Sequence, residues 1–139
     1  MRKILFIIIG LSVSLMADFV RDAGTNIVSD NATGLQWQDD AIGASMAWQS
    51  AIDACENLTL GGHSDWRLPN VNELKTIIDR SRVNPVIVNA FVHTSSSDHW
   101  SSTTASDKFR GLTVNLYRGS VDYDNKRHTT HVRCVRAGQ

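Results

Sequence analysis

The side chains best suited to ligand binding are the basic ones in the last third of the sequence. Residues 108–139 carry seven basic and two acidic side chains, whereas residues 18–58 carry one basic and seven acidic side chains. Clustered cations attract anionic polymers such as sulfated glycans or lipopolysaccharide phosphates, and a tyrosine ring offers an apolar face to a sugar. We therefore predict a ligand-binding cluster at the tip of a hairpin, with the members Arg118, Lys126, Arg127 and Tyr123.

Two alternatives to this binding cluster stay open. Folding can interleave the acidic and basic segments, so that their charges cancel. The alternation of apolar and polar residues around Tyr117 and Tyr123 is also typical of a strand with one buried face. Both rings would then be half-buried strand residues rather than stacking surfaces for a sugar.

Side chains that could support nucleophilic catalysis occur together, but without a catalytic motif. Ser101 and Ser102 follow Asp98 and His99 closely in the sequence. Proximity in sequence does not create the geometry of a catalytic triad, and the sequence contains no Gly-x-Ser-x-Gly segment. We therefore predict that the protein is not an enzyme.

Side chains that could bind a metal ion are few and poorly spaced. Of the five histidines only His128 and His131 are close, and side chains three positions apart on a strand point to opposite faces. Asp122, Asp124 and Asn125 carry oxygen atoms of the kind that calcium prefers, but these residues are also typical of a solvated turn. We predict no metal site and no other cofactor.

The overall composition is that of one small globular domain. The 139 residues include 14 basic and 14 acidic side chains, so the formal net charge is zero. This balance excludes a strongly basic nucleic-acid-binding protein and a highly charged disordered chain. Two cysteines are too few for a disulfide-dense miniprotein or for a zinc site built from four thiolates.

The first residues have the pattern of a bacterial secretory signal. Arg2 and Lys3 precede an apolar run over residues 4–15, and Ala17 precedes the first polar stretch. This run is shorter than the ~20 residues that a spanning helix needs, so we predict cleavage after Ala17 and no stable membrane insertion afterwards. An uncleaved membrane anchor is the alternative. Residues 18–139 then form a single domain that is periplasmic, secreted or at the cell surface.

Export to an oxidising compartment favours a disulfide bond between the two cysteines. Cys55 and Cys134 are 79 positions apart, and closing a loop of that length stabilises the fold by roughly 4–5 kcal/mol in the chain-entropy model. Cys55 lies in a predicted helix and Cys134 in the predicted last strand. The bond would therefore tie an early helix to the last strand.

Hydrophobic periodicity predicts two short strands and two helices in the first part of this domain. These elements are strands at 26–29 and 35–38, a helix at 45–58 and a second helix that starts at Asn70. We assign Ser45 as the N-cap of the first helix. Asn70 with Glu73 three residues later has the spacing of a capping box.

The second part of the domain predicts a long structured loop followed by strands. Residues 86–98 change from apolar to small polar side chains and are interpreted as the loop. The remaining predicted elements are strands at 100–104, 112–117, 121–123 and 131–136 and a turn at 118–120. Strands that flank two helices and continue as hairpins indicate an α+β fold with a mostly antiparallel sheet.

The most distinctive motif in the sequence is Asp65-Trp66-Arg67-Leu68-Pro69. A tryptophan buries a large area, and an arginine can donate a fork of hydrogen bonds to a carboxylate or to loop carbonyls. We predict a structural role, in which Arg67 pins the irregular chain between the two helices. An arginine that binds a ligand is the alternative.

Four segments occur in an order and at spacings that match a known protein family. They are Thr33-Gly34-Leu35-Gln36-Trp37-Gln38, Asp65-Trp66-Arg67-Leu68-Pro69-Asn70 with Glu73-Leu74, Trp100-Ser101-Ser102-Thr103 and Val132-Arg133-Cys134-Val135-Arg136. Together they resemble the Lcl C-terminal domain family, named for the terminal domain of bacterial collagen-like adhesins. The resemblance implies a C-type-lectin-like fold, in which a disulfide joins the first helix to the last strand. It also implies a structural motif with the members Asp65, Trp66, Arg67, Pro69 and Trp100.

The resemblance also bears on function. Collagen-like adhesins of this kind are associated with binding sulfated polysaccharides, although this chain has no Gly-X-Y tract. We therefore predict an exported, non-catalytic recognition module for an anionic glycan or another cell-envelope component. The alternative is a structural or assembly subunit that binds another protein, with an exposed apolar patch and a stable oligomer as its signature.

Overall fold

The computed structural model describes residues 18–138, so the predicted secretory signal at 1–17 lies outside the described residues. Within this range the elements are β1 (Phe19–Asp22), β2 (Ile27–Asp30), β3 (Leu35–Gln38), α1 (Trp48–Glu56), α2 (Val71–Lys75), β4 (Asp98–Thr104), β5 (Arg110–Asn115), β6 (Val121–Asn125) and β7 (Val135–Ala137). The strands form two antiparallel sheets, with the orders β1-β2-β3-β7 and β4-β5-β6. The predicted α+β class is confirmed, with two sheets instead of one. This arrangement is compatible with the C-type-lectin-like fold that the resemblance implies.

The four-stranded sheet contains one strand that the sequence patterning missed. β1 pairs along its whole length with β2, but its residues are alternately half-buried and exposed and carry a weak hydrophobic signal. The predicted strands at 26–29 and 35–38 correspond to β2 and β3. In the turn between them Gly34 adopts a φ of 75°, a conformation that glycine reaches without a steric penalty.

The first helix begins later than predicted, and Ser45 is not its N-cap. α1 follows Ala47, whose side chain makes no capping hydrogen bond. Met46 and Thr130 exchange backbone hydrogen bonds of 2.9 and 3.0 Å. This bridge holds the chain extended past Ser45, so the helix cannot start there.

The second helix starts at the predicted capping box. The Asn70 side chain accepts a hydrogen bond from the Glu73 N–H at 2.8 Å, and the Glu73 carboxylate accepts one from the Asn70 N–H at 2.9 Å. α2 has five residues and buries Leu74, so its stability comes from the cap and from packing. Neither helix in residues 18–138 has the length and apolarity needed to cross a membrane.

The three-stranded sheet contains the predicted hairpin. β5 and β6 pair continuously from Arg110↔Asn125 onward. Asp122, Asp124 and Asn125 therefore lie on β6, so the prediction that they form a solvated turn is wrong. The reason is that the antiparallel register continues through the polar residues, whose side chains remain at the surface.

Two hydrophobic clusters form the core of the described domain. One includes Trp37 and connects the four-stranded sheet to α2 and β5. The other surrounds Trp66, Trp100 and the Cys55–Cys134 disulfide. The predicted disulfide is confirmed, with 5.4 Å between the two Cα atoms. It joins α1 to the residue that precedes β7.

The predicted final strand at 131–136 is divided between two pairings. β7 begins only at Val135 and pairs with β3, whereas His131 forms a parallel bridge to His99 of β4. The residues between them connect the two sheets. Arg133 lies in this connection and is 5 % exposed, so its side chain belongs to the interior.

Candidate functional site

The open end of the β5–β6 hairpin brings basic and aromatic side chains together. Hydrogen bonding continues one step beyond the strands, because the Lys126 N–H donates to the Phe109 carbonyl at 3.0 Å. Asp107 Oδ1 accepts the N–H groups of Phe109 and Arg110 at 3.1 and 3.2 Å, which fixes the turn before β5. Lys108 adopts a φ of 67° in this turn. The turn and the end of β6 therefore present their side chains next to one another.

These side chains line an open groove of about 400 Å³, which we call the basic groove. Its lining residues are Lys108, Phe109, Asn125, Lys126 and Arg127. Phe109 is 76 % exposed, so its aromatic ring is open to solvent beside the three cations of the groove, Lys108, Lys126 and Arg127. Such a surface can pack against an apolar part of a ligand while its cations pair with the ligand's negative charges.

Trp48, the first residue of α1, positions the Lys126 amine. Lys126 Nζ lies 3.8 Å from the centroid of the Trp48 ring and donates to Thr104 Oγ1 at 3.0 Å. The indole N–H of Trp48 donates to the Ser101 carbonyl at 2.9 Å, which fixes the ring itself. A cation over an indole at an exposed site is stabilised by roughly 0.5–1 kcal/mol. The charge of Lys126 is therefore held at a defined position beside the groove.

Arg110 and Tyr123 form a second stacked pair on the hairpin. The guanidinium carbon of Arg110 lies 3.9 Å from the centroid of the Tyr123 ring. Arg110 Nε also donates to Asp107 Oδ2 at 2.5 Å, and this hydrogen bond is the main cause that raises the pKa of Arg110. Asp107 neutralises the charge of Arg110. Arg110 therefore stacks on the ring of Tyr123 and adds no unpaired positive charge to the hairpin. Tyr123 and Tyr117 are 60 % and 55 % exposed, so the alternative of half-buried rings is wrong.

Arg118 does not join the basic groove, so the predicted cluster at the hairpin tip is wrong in its membership. Arg118 lies in the turn between β5 and β6, whereas Lys126 and Arg127 follow the last residue of β6. At about 3.3 Å per residue of strand, the two ends of the hairpin are roughly 20 Å apart. The structure thus brings Lys126 and Arg127 together, with Tyr123 on the strand that leads to them.

Three further residues complete the site, and none was among the predicted binding residues. Lys108 and Phe109 lie opposite the end of β6, and Trp48 lies under Lys126. Counting the hairpin pairs outward from the turn would have identified Lys108 and Phe109 as neighbours of Lys126. Trp48 carries no such signal, because its helix reaches the hairpin only through the tertiary fold.

The charged residues of the Asp65–Pro69 motif are engaged in ion pairs within the domain. Arg136 Nε donates to Asp65 Oδ1 at 2.7 Å, and this interaction is the main cause that lowers the pKa of Asp65. Arg67 donates to both carboxylate oxygens of Glu73 at 2.7 Å. The hydrogen bonds from Arg67 likewise lower the pKa of Glu73. These contacts connect the chain between the helices to α2 and β7.

The aromatic and proline residues of the motif make interior contacts. The Trp66 indole N–H donates to two loop carbonyls at 3.1 and 3.3 Å, and the Trp100 indole N–H donates to the Met46 carbonyl at 2.8 Å. The Pro69 carbonyl accepts the Ser102 N–H at 2.8 Å. The Trp66 hydrogen bonds stay within the region between the helices. The Trp100 and Pro69 contacts join β4 to the chain before α1 and to the region between the helices.

Comparison with known proteins agrees with the motif segments and their arrangement. The family model of the Lcl C-terminal domain matches residues 26–136. The chain belongs to the Lcl C-terminal domain family. A search of curated proteins gave no significant match. The matched range contains both helices, the disulfide and the whole basic groove.

This Lcl C-terminal domain also contains a buried ion network that was not predicted. Asp39 accepts hydrogen bonds from Arg21 Nε at 2.6 Å, from Arg133 Nη1 at 3.2 Å, and from the N–H groups of Val92 and His93 at 3.0 Å. Burial acts to raise the pKa of Asp39. The hydrogen bonds and the charge of Arg133 outweigh this effect and lower the pKa below its usual value. The network connects β1, β3, the structured loop and the link between the sheets.

Two histidines of the domain lie side by side although they are far apart in sequence. The ring centroids of His99 and His131 are 5.7 Å apart. His99 is 3 % exposed and its Nδ1 lies 3.0 Å from the Ser97 carbonyl, so Nδ1 carries the proton. Burial lowers the pKa of His99 to about 3, with a further contribution from the charge of Arg133. Within residues 18–138 no group of three or more His, Cys, Asp or Glu side chains is arranged to hold a metal ion.

The hydroxyl and carboxylate groups considered for catalysis have other partners in the structure. Ser101 is buried, and its hydroxyl donates to the Leu112 carbonyl at 2.7 Å. Asp98 Oδ1 accepts a hydrogen bond from the Asn115 side chain at 2.9 Å. The structure therefore does not combine Ser101, Asp98 and His99 into a triad.

Proposed function

We propose that this Lcl C-terminal domain is an exported recognition module that binds an anionic glycan in the basic groove without transforming it. The observation that supports the proposal is the position of Lys108, Lys126 and Arg127 around the exposed ring of Phe109. Within residues 18–138, none of these three cations forms an ion pair. Their charges are therefore available to an external ligand.

The proposed ligand is a glycan that carries sulfate, phosphate or carboxylate groups. The Arg127 guanidinium and the two lysine amines can donate charge-assisted hydrogen bonds to such groups. The ring of Phe109 provides an apolar face for the C–H groups of a sugar. Because the cations lie at the surface, binding should weaken steeply as the salt concentration rises.

The chemistry of the groove lining supports binding rather than catalysis. The lining consists of three cations, an amide and an aromatic ring, and protonated lysine and arginine side chains do not act as general bases at neutral pH. The nearby carboxylates have partners in the domain: Asp107 pairs with Arg110, and Asp124 lies 2.7 Å from Nδ1 of His128. We therefore propose recognition as the role of this site.

The proposal includes export to the periplasm, the cell surface or the medium. The disulfide between Cys55 and Cys134 supports this part of the proposal. Such bonds persist in oxidising compartments and are rare where thiols are kept reduced. Fractionation of cells that produce the full chain would locate it.

The test of the proposed function is binding to immobilised heparin at low and high salt, with unsulfated dextran as the control surface. The Lys108→Ala/Lys126→Ala/Arg127→Ala variant should bind at least about tenfold more weakly at low salt, since it loses three exposed charge contacts. Lys75→Ala removes an exposed cation from α2 and serves as the control variant. Affinity that is unchanged in the triple variant, or insensitive to salt, would contradict the proposal.

A second candidate function is binding to another protein, as a structural or assembly subunit. An apolar groove of about 250 Å³ beside the disulfide favours this candidate, with Met46, Leu58 and Val132 among its lining residues. Exposed apolar surface of this kind is common at protein interfaces. Light scattering of the purified domain tests self-assembly: a stable oligomer supports it, and a monomer at every concentration contradicts it.

A further inference from the structure

The turn end of the β5–β6 hairpin carries a second group of exposed cations, which we call the arginine patch. Its members are the cations Arg80 and Arg118 and the exposed ring of Tyr117. Arg80 Nη2 donates to the Gly119 carbonyl at 3.1 Å. This contact brings the chain after α2 against the hairpin turn, so Arg80 and Arg118 share one part of the surface.

The turn that presents Arg118 is held in place by hydrogen bonds. Asn115 Oδ1 accepts the N–H groups of Tyr117 and Arg118 at 3.0 and 2.9 Å, and the Gly119 N–H donates to the Asn115 carbonyl at 2.7 Å. Gly119 has a φ of 76°, and a Cβ at this position would lie 3.0 Å from Nη1 of Arg80. The glycine therefore allows both the turn and the close approach of the Arg80 guanidinium.

The charges of the arginine patch are largely uncompensated. Asp79 is the carboxylate next to it in sequence, and it accepts the N–H and the hydroxyl of Ser81 at 3.0 and 2.6 Å. The hydrogen bonds from Ser81 lower the pKa of Asp79 more than the charge of Arg82 does. In the part of the chain that the structure describes, neither Arg80 nor Arg118 forms an ion pair.

The arginine patch is separate from the basic groove. The two lie beyond opposite ends of β6. The six steps from Ser120 to Lys126, at about 3.3 Å each, separate them by roughly 20 Å, which is more than twice the screening length of about 8 Å at physiological salt. Asp122 and Asp124 lie between them on β6. An anionic strand that followed β6 from one end to the other would have to pass these carboxylates. The geometry therefore favours two independent contacts over one continuous one.

We propose that the arginine patch is a second anion site, for the sulfate groups of a glycan, so that one domain holds two anionic strands and cross-links them. A planar guanidinium donates two parallel hydrogen bonds to an oxyanion, and Tyr117 adds a 55 % exposed ring beside the arginines. Cross-linking rests on the function proposed for the basic groove. The second site rests on the geometry of the turn end alone.

The test is an NMR titration of the isotope-labelled protein with a sulfated heparin disaccharide, a ligand shorter than the distance between the two sites. Two groups of amide signals should shift, one around Arg118 and Gly119 and one around Phe109 and Lys126. The Arg80→Ala/Arg118→Ala variant should lose only the first group of shifts. The Lys108→Ala/Arg127→Ala variant, which removes the same number of charges from the other end, should lose only the second group.

Light scattering with high-molecular-weight dextran sulfate measures the cross-linking. The unmodified domain should form large complexes, and each double variant should abolish them. Turn-end signals that do not shift, or that shift equally in the Arg80→Ala/Arg118→Ala variant, would overturn the second site and leave the basic groove intact. If only the groove signals fail to shift, the function proposed for the groove fails and cross-linking is overturned with it, while the arginine site stands.

Discussion

Arg67 and Glu73 form a two-armed ion pair that is also part of the capping box of α2. Arg67 Nη1 and Nη2 donate to Oε1 and Oε2 of Glu73, both at 2.7 Å, and Oε1 also accepts the Asn70 N–H at 2.9 Å. The Glu73 carboxylate thus binds the irregular chain at Arg67 and also caps the first turn of α2 at Asn70. Arg67 pins this part of the chain, as its sequence motif predicts, and the two parallel hydrogen bonds to a carboxylate are the means by which it does so.

Glu73→Gln should lower the free energy of unfolding by about 1–2 kcal/mol. The amide can keep one hydrogen bond to the Asn70 N–H but loses the charge that pairs with Arg67. The effect stays modest because the Arg67 side chain is 43 % exposed and water screens the pair. Urea unfolding measures it, with Glu56→Gln at the exposed end of α1 as the control. Equal midpoints for the two variants would contradict the role assigned to Glu73.

Asp39→Asn should be among the most destabilising conservative substitutions in this domain, at roughly 3–5 kcal/mol. The substitution leaves Arg133 buried without its counter-charge and also weakens the bond to Arg21. Asp53→Asn, at an exposed position on α1, is the matched control. Chemical unfolding compares the two variants. A loss below about 1 kcal/mol for Asp39→Asn would show that the network is not essential to the fold.

Stability should fall as the pH drops below about 6.5, the usual pKa of an unfolded histidine. The pKa of His99 is lowered to about 3 by burial, so the unfolded chain takes up a proton between these two values and the folded domain does not. The contribution of His99 is complete above pH 6.5 and is lost as the pH falls toward 3.

His99→Phe should remove most of this dependence between pH 6.5 and 4.5, a range above the usual titration of carboxylates. The variant loses the hydrogen bond to the Ser97 carbonyl and is less stable overall, so the slopes of unfolding free energy against pH are compared, not the values. Exposed His128 provides the control, as His128→Phe. A slope that is unchanged in His99→Phe would contradict the assignment.

Removal of the disulfide by Cys55→Ser/Cys134→Ser should destabilise the domain by roughly 4–5 kcal/mol, because the unfolded chain regains the freedom of a loop of 79 positions. Thermal unfolding with and without reductant measures the effect. Reductant should lower the midpoint of the natural sequence toward that of the variant and leave the variant unchanged. A midpoint of the natural sequence that does not respond to complete reduction would contradict the stabilising role.

Phe109→Ala should weaken binding to a sulfated glycan about three- to tenfold while leaving the free energy of unfolding unchanged. The ring is 76 % exposed, so its loss removes a contact surface for the ligand rather than part of the core. Val20→Ala, which truncates a 52 % exposed residue of β1, is the control. Binding to immobilised heparin measures the difference. Equal affinity of both variants would exclude ring stacking from the recognition mechanism.

Features that depend on near neighbours in the chain were predictable from the residues. The capping box of Asn70 and Glu73 spans three positions, and the alternation in β3 spans four residues. The disulfide was predictable for another reason, since the sequence contains only Cys55 and Cys134 and the predicted export favours their oxidation.

Features that depend on distant partners were not predictable in the same way. α1 starts after Ala47 because Met46 pairs with Thr130, more than 80 positions later. Arg133 is an interior residue whose counter-charge is Asp39, 94 positions earlier in the chain. In both cases the local pattern contained no information about the partner.

The sequence by itself determined which chemical groups this Lcl C-terminal domain offers: cations concentrated in the last third of the chain, aromatic rings among them, and one pair of cysteines. Only the tertiary structure decided which of these groups meet. The register of β5 and β6 sends Arg118 to one end of the hairpin and Lys126 to the other, and the packing of α1 places Trp48 beneath Lys126. The physical reason is that strand register and helix packing are set by hydrogen bonds and buried contacts between segments far apart in the chain, and a shift of one residue would move each side chain to the opposite face.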